Sequence, residues 1–157
     1  MSLMKTLHLA IEVAERKRDQ AGLALGQGQQ QRLAAQQQLD QLQGYAQETE
    51  LRWASQSQGF AMPELMHHHY QFMARLDQAI TMQQRAVADQ ERWVAQLQQA
   101  LLATELRVAT LRQAAQHKQA AIDLVQRRRE QRQTDEMAAT RYAMTARLAA
   151  QEMDHGD

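Results

Sequence analysis

The sequence predicts an all-α chain: two long helices forming an antiparallel coiled-coil hairpin, the second helix longer than the first. Three observations predict it. Gln occurs 28 times and Ala 27 times in 157 residues, while Gly occurs 6 times and Pro once, too few for a β-rich or turn-rich domain. A single stretch, Ala54-Ser55-Gln56-Ser57-Gln58-Gly59-Phe60-Ala61-Met62-Pro63, combines the only Pro with a Gly among small polar residues. On either side of it, apolar residues recur in alternating steps of three and four.

The first helix is expected over residues 4–53. Its seam runs Leu7, Ile11, Ala14, Arg18, Ala21, Leu25, Gly28, Arg32, Ala35, Leu39, Leu42, Ala46, Thr49, Trp53. Residues 54–62 form the turn. The second helix is expected over residues 63–150, because Pro63 suits the first helical position and Glu64 the positive helix N-terminus. Its seam runs Met73, Leu76, Ile80, Gln83, Val87, Gln90, Val94, Leu97, Leu101, Thr104, Val108, Leu111, Ala115, Lys118, Ile122, Val125. A 3.5-residue repeat kept this long specifies a left-handed coiled coil. A disordered Gln-rich tract would not hold that phase.

A short bend sets Trp53 near Glu64, Tyr45 against Phe72, Gln38 against Ala79 and Trp93 over Ala24. Helix 1 then runs out opposite residue 114, and residues 115–150 overhang as part of one elongated domain, residues 1–157. One flank is apolar, with Ala10, Ala24 and Tyr45 facing Phe72, Ala79, Ala86, Trp93 and Ala100. The opposite flank is polar. The apolar flank reads either as a widened core stripe or as a groove for a partner. Gly22, Gly26 and Gly28 each cost about 1 kcal/mol in a helix interior relative to Ala. They read as a soft point for bending or as a close approach to Trp93, with the soft point preferred.

Several function classes fall away. There is no Cys, so no disulfide framework, thiolate metal site or Cys nucleophile. Lys+Arg and Asp+Glu balance at 18 each, which argues against nucleic acid and anionic membrane as partners. No apolar run approaches the roughly 20 residues that span a bilayer, and Glu12 and Glu15 interrupt any leader-like stretch. His67, His68 and His69 sit about 100° apart on a helix and cannot converge on one metal, so they read as solvated first-turn residues. Ser is scarce, no Ser/His/Asp arrangement is apparent, and a two-helix hairpin lacks the concave pocket of an enzyme. No catalytic residue, metal or cofactor is expected. Arg129, Arg132 and Glu136 occupy seam positions that should be apolar, so the overhang is either a frayed tail or a segment that orders inside another protein.

Four stretches, in order along nearly the whole chain, carry a resemblance: Ala14-Glu15-Arg16-x-x-Asp19-x-Ala21, Gln38-Leu39-x-x-Leu42-x-x-Tyr45, Tyr70-Gln71-Phe72-Met73-x-x-Leu76-x-x-Ala79-Ile80-x-x-Gln83, and Glu130-Gln131-Arg132-x-x-Asp135-Glu136. Together they resemble the flagellar type III export protein FliJ family. The family often has an aromatic residue where Thr49 stands and a His where Gln83 stands, and Tyr70 and Phe72 are one residue closer than its usual spacing.

The resemblance implies a cytoplasmic, non-enzymatic stalk, peripherally associated with the export apparatus at the inner membrane. Such a stalk enters the hexameric flagellar export ATPase, promotes ring assembly and hydrolysis, and contacts the cytoplasmic domain of the export gate and export chaperones. The gate-contact positions carry over as Gln38, Leu42, Tyr45, Phe72, Leu76 and Ala79. Arg127, Arg128, Arg129, Glu130, Arg132, Asp135 and Glu136 are the candidate ring contact, since the pore would supply the seam partner the overhang lacks. The free chain is expected to be monomeric. The equivalent stalk of a virulence secretion system is the alternative on the same architecture. A generic coiled-coil scaffold and an RNA-binding hairpin are the alternatives from other classes.

Overall fold

The computed structural model describes residues 2–56 and 62–156. Two helices account for nearly all of them: α1, Leu3–Gln56, and α2, Pro63–Asp154. The expected turn lies largely outside the described residues. α1 starts where Ser2 caps it, its Oγ accepting from the Lys5 amide at 3.3 Å and its carbonyl accepting from the Thr6 amide at 3.2 Å. α2 starts at Pro63, as the sequence predicts, and the Met66 amide donates back to the Met62 carbonyl at 3.1 Å.

Contacts divide the chain into two units, one of Glu12–Val108 and one of Met1–Ile11 with Ala109–Asp157. In the first unit the helices pair antiparallel. Tyr45 packs on Phe72, Gln83 bonds to the backbone of Ala35, and Gly28 lies against Val94 and Leu97. The predicted seam is the buried face. Ala14, Leu39, Leu76, Val87 and Val94 are buried, Val108 is 2% exposed, and nearly all other seam residues before Lys118 are half-buried. Arg32 is the exception and is exposed. In the second unit Ala115 is buried, but Lys118, Ile122 and Val125 are exposed. The loss of seam burial therefore begins where the sequence places the end of helix 1.

Three expectations are corrected. Trp53 does not meet Glu64; its indole stacks on the His69 imidazole, centroids 4.2 Å apart and planes 5° from parallel. The register of the flank is as predicted, since Tyr45 meets Phe72. His69 is also not a solvated residue, since its side chain is 8% exposed under Trp53. Finally, α2 is unbroken to Asp154, so the overhang is helix and not a frayed tail.

The glycines divide by environment. A Cβ built on Gly28 would lie 2.6 Å from Leu97 Cδ1, 3.7 Å from Val94 Cγ2 and 3.8 Å from Trp93 Cδ1. Gly28 is thus a close-approach position rather than a soft point. Nothing lies within 4 Å of such an atom at Gly22 or Gly26. Two seam glutamines also differ. Gln83 Nε2 donates to the Ala35 carbonyl at 2.8 Å and to Gln38 Oε1 at 3.2 Å. The Oε1 of Gln90 is buried with no partner, which destabilises the folded state.

Two stability outcomes follow from this packing. Gly22→Ala and Gly26→Ala each raise the urea-unfolding free energy by about 0.5–1 kcal/mol, from helix propensity with no steric cost. Gly28→Ala gains less than either, because the Leu97 methyl must move. Gln90→Leu raises stability by about 1 kcal/mol by removing the unpartnered oxygen, read from the same unfolding curves.

Candidate partner-binding surfaces

The six residues carried over as gate contacts fall into two physical groups. Leu76 is buried and Leu42 half-buried, both on the seam, and Ala79 is half-buried on its flank. Tyr45, Phe72 and Gln38 are exposed. Tyr45 and Phe72 are 50% and 41% exposed, and their rings meet edge to face, centroids 6.1 Å apart and planes at 86°. That geometry sets the positive edge of one ring on the negative face of the other. It joins the two helices through an aromatic pair that leaves about half of each residue for a partner. Gln38 reaches the same flank and accepts a hydrogen bond from Gln83, one turn along α2 from Ala79. Seam residues hold the helices in register, and the flank residues beside them form the surface.

Sequence reasoning missed a second cluster. Trp53 stacks on His69, Glu50 Oε1 lies 3.9 Å from His69 Nε2, and the Tyr70 ring lies 6.0 Å from the His69 ring. His67 and His68 are exposed. Counting back four residues from Met73 places His69 on the seam, which would have distinguished it from its two neighbours.

A third feature is an open groove of about 760 Å³ in the Glu12–Val108 unit, floored where Gly22 and Gly26 lack side chains. Leu23 and Leu101 line it, and Arg18, ion-paired to Asp19 at 3.0 Å, stands on its rim. Among the described residues, no three His, Asp or Glu are grouped so as to hold a metal ion, and no helix is long and apolar enough to cross a membrane.

The fourth is the overhang. Every residue from Leu124 to Asp154 is exposed, including Arg127, Arg128, Arg129, Glu130, Arg132, Asp135 and Glu136. None of these charged residues forms an ion pair among the described residues. The helix is held locally instead. Gln119 and Gln131 amides donate to Asp123 and Asp135 at 2.9 and 3.1 Å, each four residues on.

Comparison with known families gives one match: a family model described as "Flagellar FliJ protein" covers residues 4–147. No curated protein matches the chain, and no solved structure does.

The two physical groups predict different responses to truncation. Leu76→Ala costs about 2–4 kcal/mol, as for a buried Leu, and lowers the midpoint of a circular-dichroism melt by several degrees. Tyr45→Ala and Phe72→Ala each cost about 1–2 kcal/mol, the edge-to-face term plus the burial of about half of each ring.

Proposed function

The chain belongs to the flagellar FliJ family, and from that membership we propose that it is the non-enzymatic stalk of the flagellar export apparatus. In this reading it works in the cytoplasm, peripherally at the inner membrane, and couples the hexameric export ATPase to the membrane export gate. Export chaperones are its third class of partner.

The observation that carries the reading is the overhang. α2 continues as helix for about ten turns beyond the buried Ala115, with its seam face uncovered. A seam face maintained in phase without a partner in its own chain is suited to a partner in another. The ring would receive this segment, and the residues from Arg127 to Glu136 are the assigned contact. Tyr45, Phe72 and Gln38 would meet the gate, with Leu42, Leu76 and Ala79 fixing their positions from beneath and beside them.

The mechanism is mechanical coupling. A helical hairpin has no sixfold symmetry, so the faces of a hexamer around it are not equivalent. Nucleotide state at a given face then favours one stalk orientation, and by linkage stalk orientation favours one nucleotide state. No proton or group transfer is asked of the stalk itself.

The test is ATP turnover by the cognate export ATPase near its assembly threshold, together with binding to the gate's cytoplasmic domain. The intact chain raises turnover, saturating at one chain per ring. Deleting the residues after Val125 removes that rise and spares gate binding. Tyr45→Ala with Phe72→Ala does the reverse. A truncated chain that keeps both activities overturns the assignment.

A further inference from the structure

The seam phase does not stop at Val125. Continued in steps of four and three it reaches Arg129, Arg132, Glu136, Ala139, Ala143, Ala146, Ala150 and Met153. All lie within the unbroken α2, and all are exposed. The face therefore has an ordered pattern: apolar Ile122 and Val125, then two cations, then an anion, then four alanines at heptad spacing.

That pattern is complementary to itself when reversed. We propose that the overhang pairs with the overhang of a second copy of this chain, as an antiparallel coiled coil centred between Arg132 and Glu136. In this register Arg132 faces Glu136 of the second copy, and the symmetry axis makes the same contact twice. Val125 faces Ala143, Ile122 faces Ala146 and Arg129 faces Ala139. Larger side chains thus meet small ones in successive layers, which lets the helices approach closely. The arginine stem of residue 129 covers the alanine while its head stays in water.

The charges select this arrangement over its neighbours. A parallel, in-register pair would oppose Arg129 to Arg129, Arg132 to Arg132 and Glu136 to Glu136. Sliding the antiparallel pair by one heptad sets Arg132 against Arg129 in one direction. In the other it sets Arg132 against Ala143 and Glu136 against Ala139. Only the proposed register joins Arg132 to Glu136. Polar residues at the seam of a coiled coil act in this way, fixing partner and register at some cost in stability.

The charges are also free to do so. Although four residues apart on one helix, Arg132 and Glu136 are not ion-paired with each other, and Arg129 has no ion pair among the described residues. Asp135 is turned to Gln131, which holds its Oδ1 at 3.1 Å. The alanine-rich layers bury little area, so the dimer is reversible, and the monomer expected from the family likeness is its dilute limit. The pairing uses the same residues as the assigned ring contact, so a self-paired chain is withheld from the ring.

The test needs no ATPase, so its failure is distinguishable from failure of the stalk assignment. Sedimentation equilibrium of the full chain, from about 1 µM to about 1 mM, shows a monomer–dimer equilibrium governed by mass action. Arg132→Glu or Glu136→Arg alone weakens dimerisation roughly tenfold or more, because each creates two like-charge contacts. The double swap restores it. The chain has no native Cys, so orientation is read separately. Chains carrying Arg129→Cys and Ala139→Cys form a disulfide on mixing, whereas neither does so alone. These positions are exposed, and helicity measured by circular dichroism stays unchanged. A chain that is monomeric throughout overturns the proposal. So does a dimer indifferent to both single swaps, or a disulfide between two Arg129→Cys chains.

Discussion

The structure depends on a two-helix seam that has no third layer to help it. Each seam residue has to exclude water with only the facing helix and its own flank. Seven apolar residues are buried among the described residues, and two of them are alanines. The seam therefore relies on close approach more than on bulk. Gly28 shows how: the Leu97 methyl occupies the space where a Cβ would be, and Val94 and Trp93 close around it. Val87, Val94 and Val108 suit the same narrow gap, being short and β-branched. Flank alanines such as Ala24, Ala79 and Ala86 are half-buried for the same reason.

That constraint explains which parts were legible in the sequence. The spacing of Leu39, Leu76, Val87 and Val94 reports directly which face is buried, because the buried face of a supercoiled helix repeats every 3.5 residues. Pro63 marks the start of α2 by its fixed φ and missing donor. The end of the pairing, near Ala115, followed from counting residues. The flank register, Tyr45 opposite Phe72, followed from the same count. Nothing in Ala54-Ser55-Gln56 states that the helix continues through Gln56. The stack of Trp53 on His69 was missed because His69 was read with its exposed neighbours His67 and His68 and not on the seam. Within the candidate site, motif likeness located the stretch around Tyr45 and Phe72. It did not separate the exposed aromatics from Leu76, whose burial depends on the facing helix.

The polar seam residues show a further limit of pattern reading. Gln83 and Gln90 stand seven residues apart in equivalent positions, and the sequence treats them alike. In the structure Gln83 spans to the Ala35 carbonyl and Gln38, and Gln90 leaves an oxygen unsatisfied. Whether a buried amide is compensated depends on what the other helix presents at that layer. Gln83 is also the residue that ties Gln38 to the aromatic flank, so here a seam amide organises the surface beside it.

The abundance of Gln and Ala has a physical role beyond filling a solvated face. Ala has the highest helix propensity, and Gln is close to it. Gln36, Gln119 and Gln131 each donate to an Asp four residues on. Helix is thus encoded locally, turn by turn, and does not wait for tertiary burial. This is why the overhang is helical although nothing in its own chain covers it. The expectation that it orders only inside another protein treated the broken heptad as a loss of structure. The end of α1 removes the self-contained partner without removing the helix of α2. A partner that binds this segment meets a face already in phase, and the ordering cost that a disordered tail would impose on binding is largely absent.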